Sequence, residues 1–168
     1  MLSSLLKLNK LLIKLLEITV ILVIGFLVID VLWGVFSRYV LKNQSPWTEE
    51  LATMLLIWVS LLGAAIGFIR KSHLGVDYFV NKMSQKKQAI GEIVVYILIA
   101  VFASFAMIYG GTRLVALTLK LGQVSPAMQL KMGYVYMAVP ISGFFILVFS
   151  IETIIKNVTN LLNKSNNQ

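Results

Sequence analysis

The chain of 168 residues has no cysteine and a single histidine. Disulfides, thiolate metal sites and a cysteine nucleophile are therefore excluded, and one imidazole is too few for a histidine-rich metal centre. Charge is scarce as well: 13% of the residues are Asp, Glu, Lys or Arg, against about 25% in an ordinary soluble domain. Acidic residues number seven and prolines three. With 58% hydrophobic residues and a mean hydropathy of +0.86, too little polar sequence remains to coat a compact soluble core. The coat must be lipid. No Gly-rich phosphate loop occurs, and the few Ser, His and acidic residues outside the apolar runs form no catalytic constellation. The chain is accordingly not expected to be an enzyme or to bind a cofactor.

What the sequence does have is long apolar runs. Residues 18–37 are 20 positions with one charge, Asp30; residues 51–69 are 19 with none; residues 93–112 and 132–151 are 20 each with none. At 1.5 Å per residue each crosses a hydrocarbon layer about 30 Å thick as a helix. Strands do not fit, because apolar and polar residues do not alternate and unclosed strands leave backbone groups unpaired in lipid. The expected fold is all-α and integral to a membrane, one domain over 1–168 with four transmembrane helices. With their flanks these cover about 15–39, 47–70, 90–112 and 132–155, followed by a polar tail at 157–168.

The basic residues orient these spans. The two tails and the middle loop hold ten of the 15 Lys and Arg, and the other two loops hold five, which puts both ends in the cytoplasm. The net charge of +8 is then explained by membrane lipid headgroups, with no nucleic acid partner. Leu5, Leu6, Leu12 and Ile13, with Lys7, Lys10 and Lys14 between them, predict an amphipathic interfacial helix over about 2–14 on the cytoplasmic side. The apolar stretch that follows is too long for a signal peptide and carries Glu17 and Asp30, so it is expected to stay as an anchor. Val76, Phe79, Val80 and Met83 repeat the amphipathic spacing beside Lys82, Lys86 and Lys87, predicting a second surface-lying helix.

The connections carry the distinctive residues. Span two opens with Ser45-Pro46-Trp47-Thr48-Glu49-Glu50. Ser suits the N-cap, Pro the first helical position, and the carboxylates the positive end of the helix dipole, while Trp47 suits headgroup depth. Arg38 can pair with Glu49 or Glu50 and lock a hairpin or a partner subunit. Gly63 and Gly67 form a small-xxx-small pattern that permits close approach of another helix. His73 and Asp77 fall far short of a coordination shell, so no metal is expected, and they read as residues fixing the loop beyond span two. Ser125-Pro126 resembles Ser45-Pro46 and reads as chance similarity plus helix-start chemistry. Pro140 lies inside span four, where it removes one backbone hydrogen bond and should bend the helix.

Asp30 is the one ionisable group deep in a span, on a face expected to include Trp33, Gly34 and Ser37. One carboxylate is thin material for a coupled transporter, which ordinarily uses broken helices and repeats. Three functions stay open on these residues: a subunit that supports a larger assembly, an independent proton-coupled exporter acting as an oligomer through Asp30, and a membrane-anchored assembly protein without transport.

Arg38-Tyr39-Val40, Trp47-Thr48-Glu49-Glu50, Gly63-Ala64-Ala65, His73-Leu74-Gly75-Val76-Asp77, Ser125-Pro126-Ala127 and the stretch from Tyr136 to Pro140 together resemble the small membrane subunit of TRAP transporters, the DctQ-like family. The resemblance covers nearly the whole chain in order and spacing. It implies a multi-pass protein of the bacterial inner membrane that acts as a scaffold beside a large sodium-coupled permease subunit. A periplasmic substrate-binding protein would dock on the outer face, and the solute would be an organic acid of the C4-dicarboxylate, keto acid or sialic acid class. It further implies framework or subunit-interface roles for Arg38, Trp47, Glu49, Glu50, His73 and Asp77, whereas Asp30 belongs to none of its motifs.

Overall fold

In lipid every backbone N–H and C=O must find its partner inside the chain, so apolar runs of this length become helices. A computed structural model describes residues 2–43, 45–70 and 85–166, with the side chains of 11–43, 45–70 and 90–159. Helix α1 is Leu2–Tyr39 and α2 is Pro46–Ile69. Helix α3, Gln85–Phe102, runs through a π-helical stretch, Ala103–Gly110, into α4, Gly111–Lys120; α5 is Met132–Tyr136 and α6 is Ala138–Asn166. Among the described residues four stretches are long and apolar enough to cross a membrane: Leu11–Tyr39, Pro46–Ile69, Ile90–Lys120 and Met132–Thr159. The third continues past Thr112 to Lys120, where a loop was expected. Residues 2–14 are helical and continuous with the first span in α1. The second amphipathic segment, with His73 and Asp77, lies outside the described residues.

Contacts divide the chain into two units, residues 1–66 with 113–138 and residues 67–112 with 139–168. In the first unit α1 is covered along one narrow stripe. Leu16, Val20, Asp30 and Ser37 are buried and Val23, Leu27 and Gly34 are partly covered. These positions step alternately by four and three, the spacing of a two-helix seam. At Gly34 the seam is tight, since a Cβ there would stand 3.2 Å from Thr48 Oγ1. Helix α2 starts at Pro46 as expected, and the Thr48 hydroxyl donates to the Ser45 carbonyl at 2.8 Å.

Ser125-Pro126 does not start a helix. Helix α4 ends at Lys120; Gly122 in the turn beyond it has a φ of +63°, which favours glycine, and a tight hairpin follows. Met132 N–H donates to the Gln123 carbonyl and Ser125 N–H to the Leu130 carbonyl, both at 2.9 Å. Gln129 N–H closes the turn onto the Ser125 carbonyl at 3.0 Å. Pro126 thus serves a turn, because the backbone on both sides is already paired across the hairpin.

In the second unit the π-helical stretch packs on the start of α6. A Cβ on Gly111 would come within 3.0 Å of Pro140 Cδ and Val139 Cγ1, and one on Gly143 within 2.6 Å of Met107 Cβ. The expected bend at Pro140 is an interruption at Met137, between α5 and α6. Proline has no N–H to offer the carbonyl four residues earlier, that of Tyr136, so the helix stops there and restarts. Ser142 and Ser150, both fully buried, return their hydroxyls to the Val139 and Ile146 carbonyls. Asn157 Nδ2 donates to Glu92 Oε2 at 2.8 Å.

The glycines therefore sort by environment. Among the described residues nothing lies within 4 Å of a Cβ at Gly63 or Gly67, so within them the small-xxx-small pattern is open. Gly143→Ala should destabilise the protein by about 1–3 kcal/mol, as overpacking does. Gly63→Ala and Gly67→Ala should stay within about 0.5 kcal/mol in the isolated chain. Thermal unfolding in detergent micelles, followed by circular dichroism, measures the contrast.

Candidate functional site

Two consecutive residues of an α-helix point about 100° apart. Glu49 and Glu50 at the start of α2 use that divergence to reach different neighbours. Arg38, in the last turn of α1, donates from Nη2 to Glu49 Oε1 at 2.6 Å. The two side chains are 50% and 65% exposed, so solvent screens the pair and its contribution is at most about 1 kcal/mol. Of the two pairings open to Arg38, the one with Glu49 forms.

Glu50 turns to the hairpin. Its Oε1 accepts the Ala127 N–H at 2.9 Å and its Oε2 the Met128 N–H at 3.1 Å. Those amides sit in the turn after Pro126, where no helix or ladder bond can use them. A carboxylate supplies the two acceptors they need. Glu50, Met54, Ser125, Pro126 and Met132 border a cleft of about 310 Å³. Helix α1, the head of α2 and the 123–132 hairpin are thus tied together by two adjacent carboxylates.

A second pocket, of about 250 Å³, lies between α1 and α2 below the ion pair, lined by Asp30, Val31, Gly34, Val35, Arg38, Thr48 and Glu49 among others. Asp30 is 5% exposed, and among the described residues neither of its carboxylate oxygens has a hydrogen-bond partner. Gly34 and Ser37 share its covered stripe, as expected. Trp33 does not: it is 45% exposed and packs on Phe36 with ring centres 5.9 Å apart. Three residues from Asp30, it falls outside the seam of alternating three and four steps, which a broad helix face had merged.

Of the other sequence candidates, Trp47 is 40% exposed, Gly63 and Gly67 meet no described residue within 4 Å of an added Cβ, Pro140 lies in the second unit, and His73 and Asp77 are outside the described residues. The structure brings together Arg38, Glu49 and Glu50. Sequence reasoning missed the amides of Ala127 and Met128, and also Thr48, whose burial fixes the α1–α2 approach. The signal for the amides was a proline-containing turn at 125–128 with no helix behind it to absorb its N–H groups. Chemically the arrangement clamps segments. Among the described residues no group of three His, Asp or Glu is placed to hold a metal ion.

Residues 10–160 match the family model described as tripartite ATP-independent periplasmic transporters, DctQ component. A protein of Haemophilus influenzae, provisionally named a TRAP transporter small permease protein, is 28% identical over 145 residues, covering 86% of this chain and 88% of that one. The sialic acid TRAP transporter small permease protein SiaQ of Vibrio cholerae is 34% identical over 76 residues, 45% of this chain and 43% of SiaQ. The isethionate TRAP transporter permease protein DctMQ of Oleidesulfovibrio alaskensis is 29% identical over 96 residues, 57% of this chain but 15% of DctMQ.

The clamp predicts a local effect of Glu50. In Glu50→Ala the Ala127 and Met128 amides should exchange with solvent on the order of tenfold faster or more, because their opening no longer breaks a hydrogen bond. Glu50→Gln, which keeps one acceptor oxygen, should fall between. Hydrogen exchange read by mass spectrometry over the hairpin measures it, and Arg38→Ala should leave those amides unchanged.

Proposed function

Because the chain belongs to the DctQ component family of tripartite ATP-independent periplasmic transporters, we propose that it is the static membrane scaffold for a large permease subunit in uptake of an organic acid. The observation that carries this reading is its uncovered apolar surface: within each span's most hydrophobic window at most 22% of the residues are buried inside the chain. Lipid alone can coat such a surface, but a chain whose polar contacts are spent on tying its own segments together is built as a support. The relation to DctMQ adds to this. More than half of this chain corresponds to 15% of a longer permease polypeptide, as expected of a small part working beside a large one.

In this reading both termini and the interfacial segment at 2–14 are cytoplasmic, following the distribution of Lys and Arg. The membrane is the bacterial inner membrane, and a substrate-binding protein approaches the opposite face, where the hairpin and the Arg38–Glu49 pair lie. Relatives are named for sialic acid, isethionate and C4-dicarboxylates, which share an anionic head, so the solute class is an organic anion and the driving gradient is sodium in the partner. Arg38, Glu49 and Glu50 act as framework residues. Gly63, Gly67 and Pro140 are available to subunit contacts, with His73 and Asp77 assigned the same role.

Reconstitution tests it. Proteoliposomes holding the cognate large subunit and supplied with the binding protein should accumulate labelled organic acid under a sodium gradient only when this chain is present. Undiminished uptake without it overturns the scaffold reading. Gradient-driven accumulation by this chain alone supports instead an exporter-type activity through Asp30.

A further inference from the structure

We propose that the pocket at Asp30 receives a lysine or arginine side chain from a membrane helix of the large permease subunit. The inference rests on the scaffold reading above and assigns a specific contact within it. Asp30 is buried in the α1 seam, yet among the described residues neither carboxylate oxygen is met by a donor. A bare ionised carboxylate at this depth is costly, and intramembrane carboxylates are ordinarily matched by a cation.

The nearest cation on the same helix does not serve. Arg38 is eight residues further along, about 12 Å at 1.5 Å per residue, and its guanidinium already donates to Glu49. Counting the acidic and basic residues that line the pocket, Asp30 and Glu49 against Arg38, one negative charge is left over. A single added cation completes the set.

The form of that cation follows from the walls. On the open side Val31, Val35 and Tyr39 follow one another at four-residue steps along α1 and are 46%, 51% and 74% exposed. This apolar stripe fits a neighbouring helix in lipid. The opposite wall is held by the Gly34–Thr48 approach, and Thr48 Oγ1 is committed to the Ser45 carbonyl. A hydrated ion would shed its water against valines. A basic side chain brings its charge on an apolar stem that packs on those same valines, and about 250 Å³ leaves room for its end.

The test uses the membrane complex, with this chain tagged and its cognate large subunit co-expressed. Retention of the large subunit by the wild-type chain is the control for the scaffold reading, and if it fails both ideas fall. Given retention, Asp30→Asn should weaken it roughly tenfold or more, as loss of one partner of a buried charge pair does, with α-helix content and unfolding temperature of the isolated chain unchanged. Replacing each membrane-embedded Lys and Arg of the large subunit by Met should find one that reproduces the loss and adds nothing to Asp30→Asn. Exchange of the two charges, with Asp30→Lys in this chain, should restore retention. Should Asp30→Lys fail to insert, the Asn and Met cycle alone decides. Wild-type retention by Asp30→Asn, strict additivity with every basic residue, or an Asp30-dependent rise in unfolding temperature of the isolated chain on adding sodium would each overturn the proposal, the last in favour of an ion site.

Discussion

Two neighbouring carboxylates cannot face the same way on an α-helix, and the first unit of this protein is organised around that restriction. Glu49 meets α1 through Arg38, and Glu50 meets the hairpin through two backbone amides. The partners differ in kind. The guanidinium is half exposed and could be satisfied by water, whereas the two amides lie in a turn where the backbone offers no acceptor. The ion pair therefore contributes little, and the hairpin depends on Glu50. Position and residue type are both constrained: one residue earlier or later in α2, the side chain would leave the hairpin's direction by about 100°.

Apolar length made the four spans legible in the sequence, because a run of 19 or 20 residues with at most one charge has few alternatives to crossing a membrane as a helix. Pro46 as a helix start and Arg38 as a partner for an acidic neighbour were legible because each depends on chemistry close along the chain, with Glu49 eleven residues from Arg38. The features that escaped depend on partners far along the chain. Nothing near Glu50 reveals that its acceptors serve residues 127 and 128, and the Ser125-Pro126 pair looks like a helix start until the hairpin bonds on either side are seen. Trp33 was grouped with Asp30 because a uniformly apolar helix has no polar face to narrow the choice. The seam in α1 becomes visible only through burial, which picks out steps of three and four from a sequence that is hydrophobic all round.

The glycines of the helices fall into two environments. Gly34 and Gly143 are small because another part of their own unit comes near, at Thr48 and Met107. At Gly63 and Gly67 no described residue comes within 4 Å of an added Cβ. A glycine in a membrane helix thus has two distinct physical readings, and the distance to a hypothetical Cβ tells them apart where the sequence pattern alone treats them as equal.

Most of the described side chains of α1 are exposed. A helix held by one stripe has few internal contacts to lose when it detaches, so the folded state draws much of its stability from whatever surrounds it, and occupancy by neighbours shifts that balance by mass action. A copy without neighbours is then less stable than one whose exposed stripe is covered.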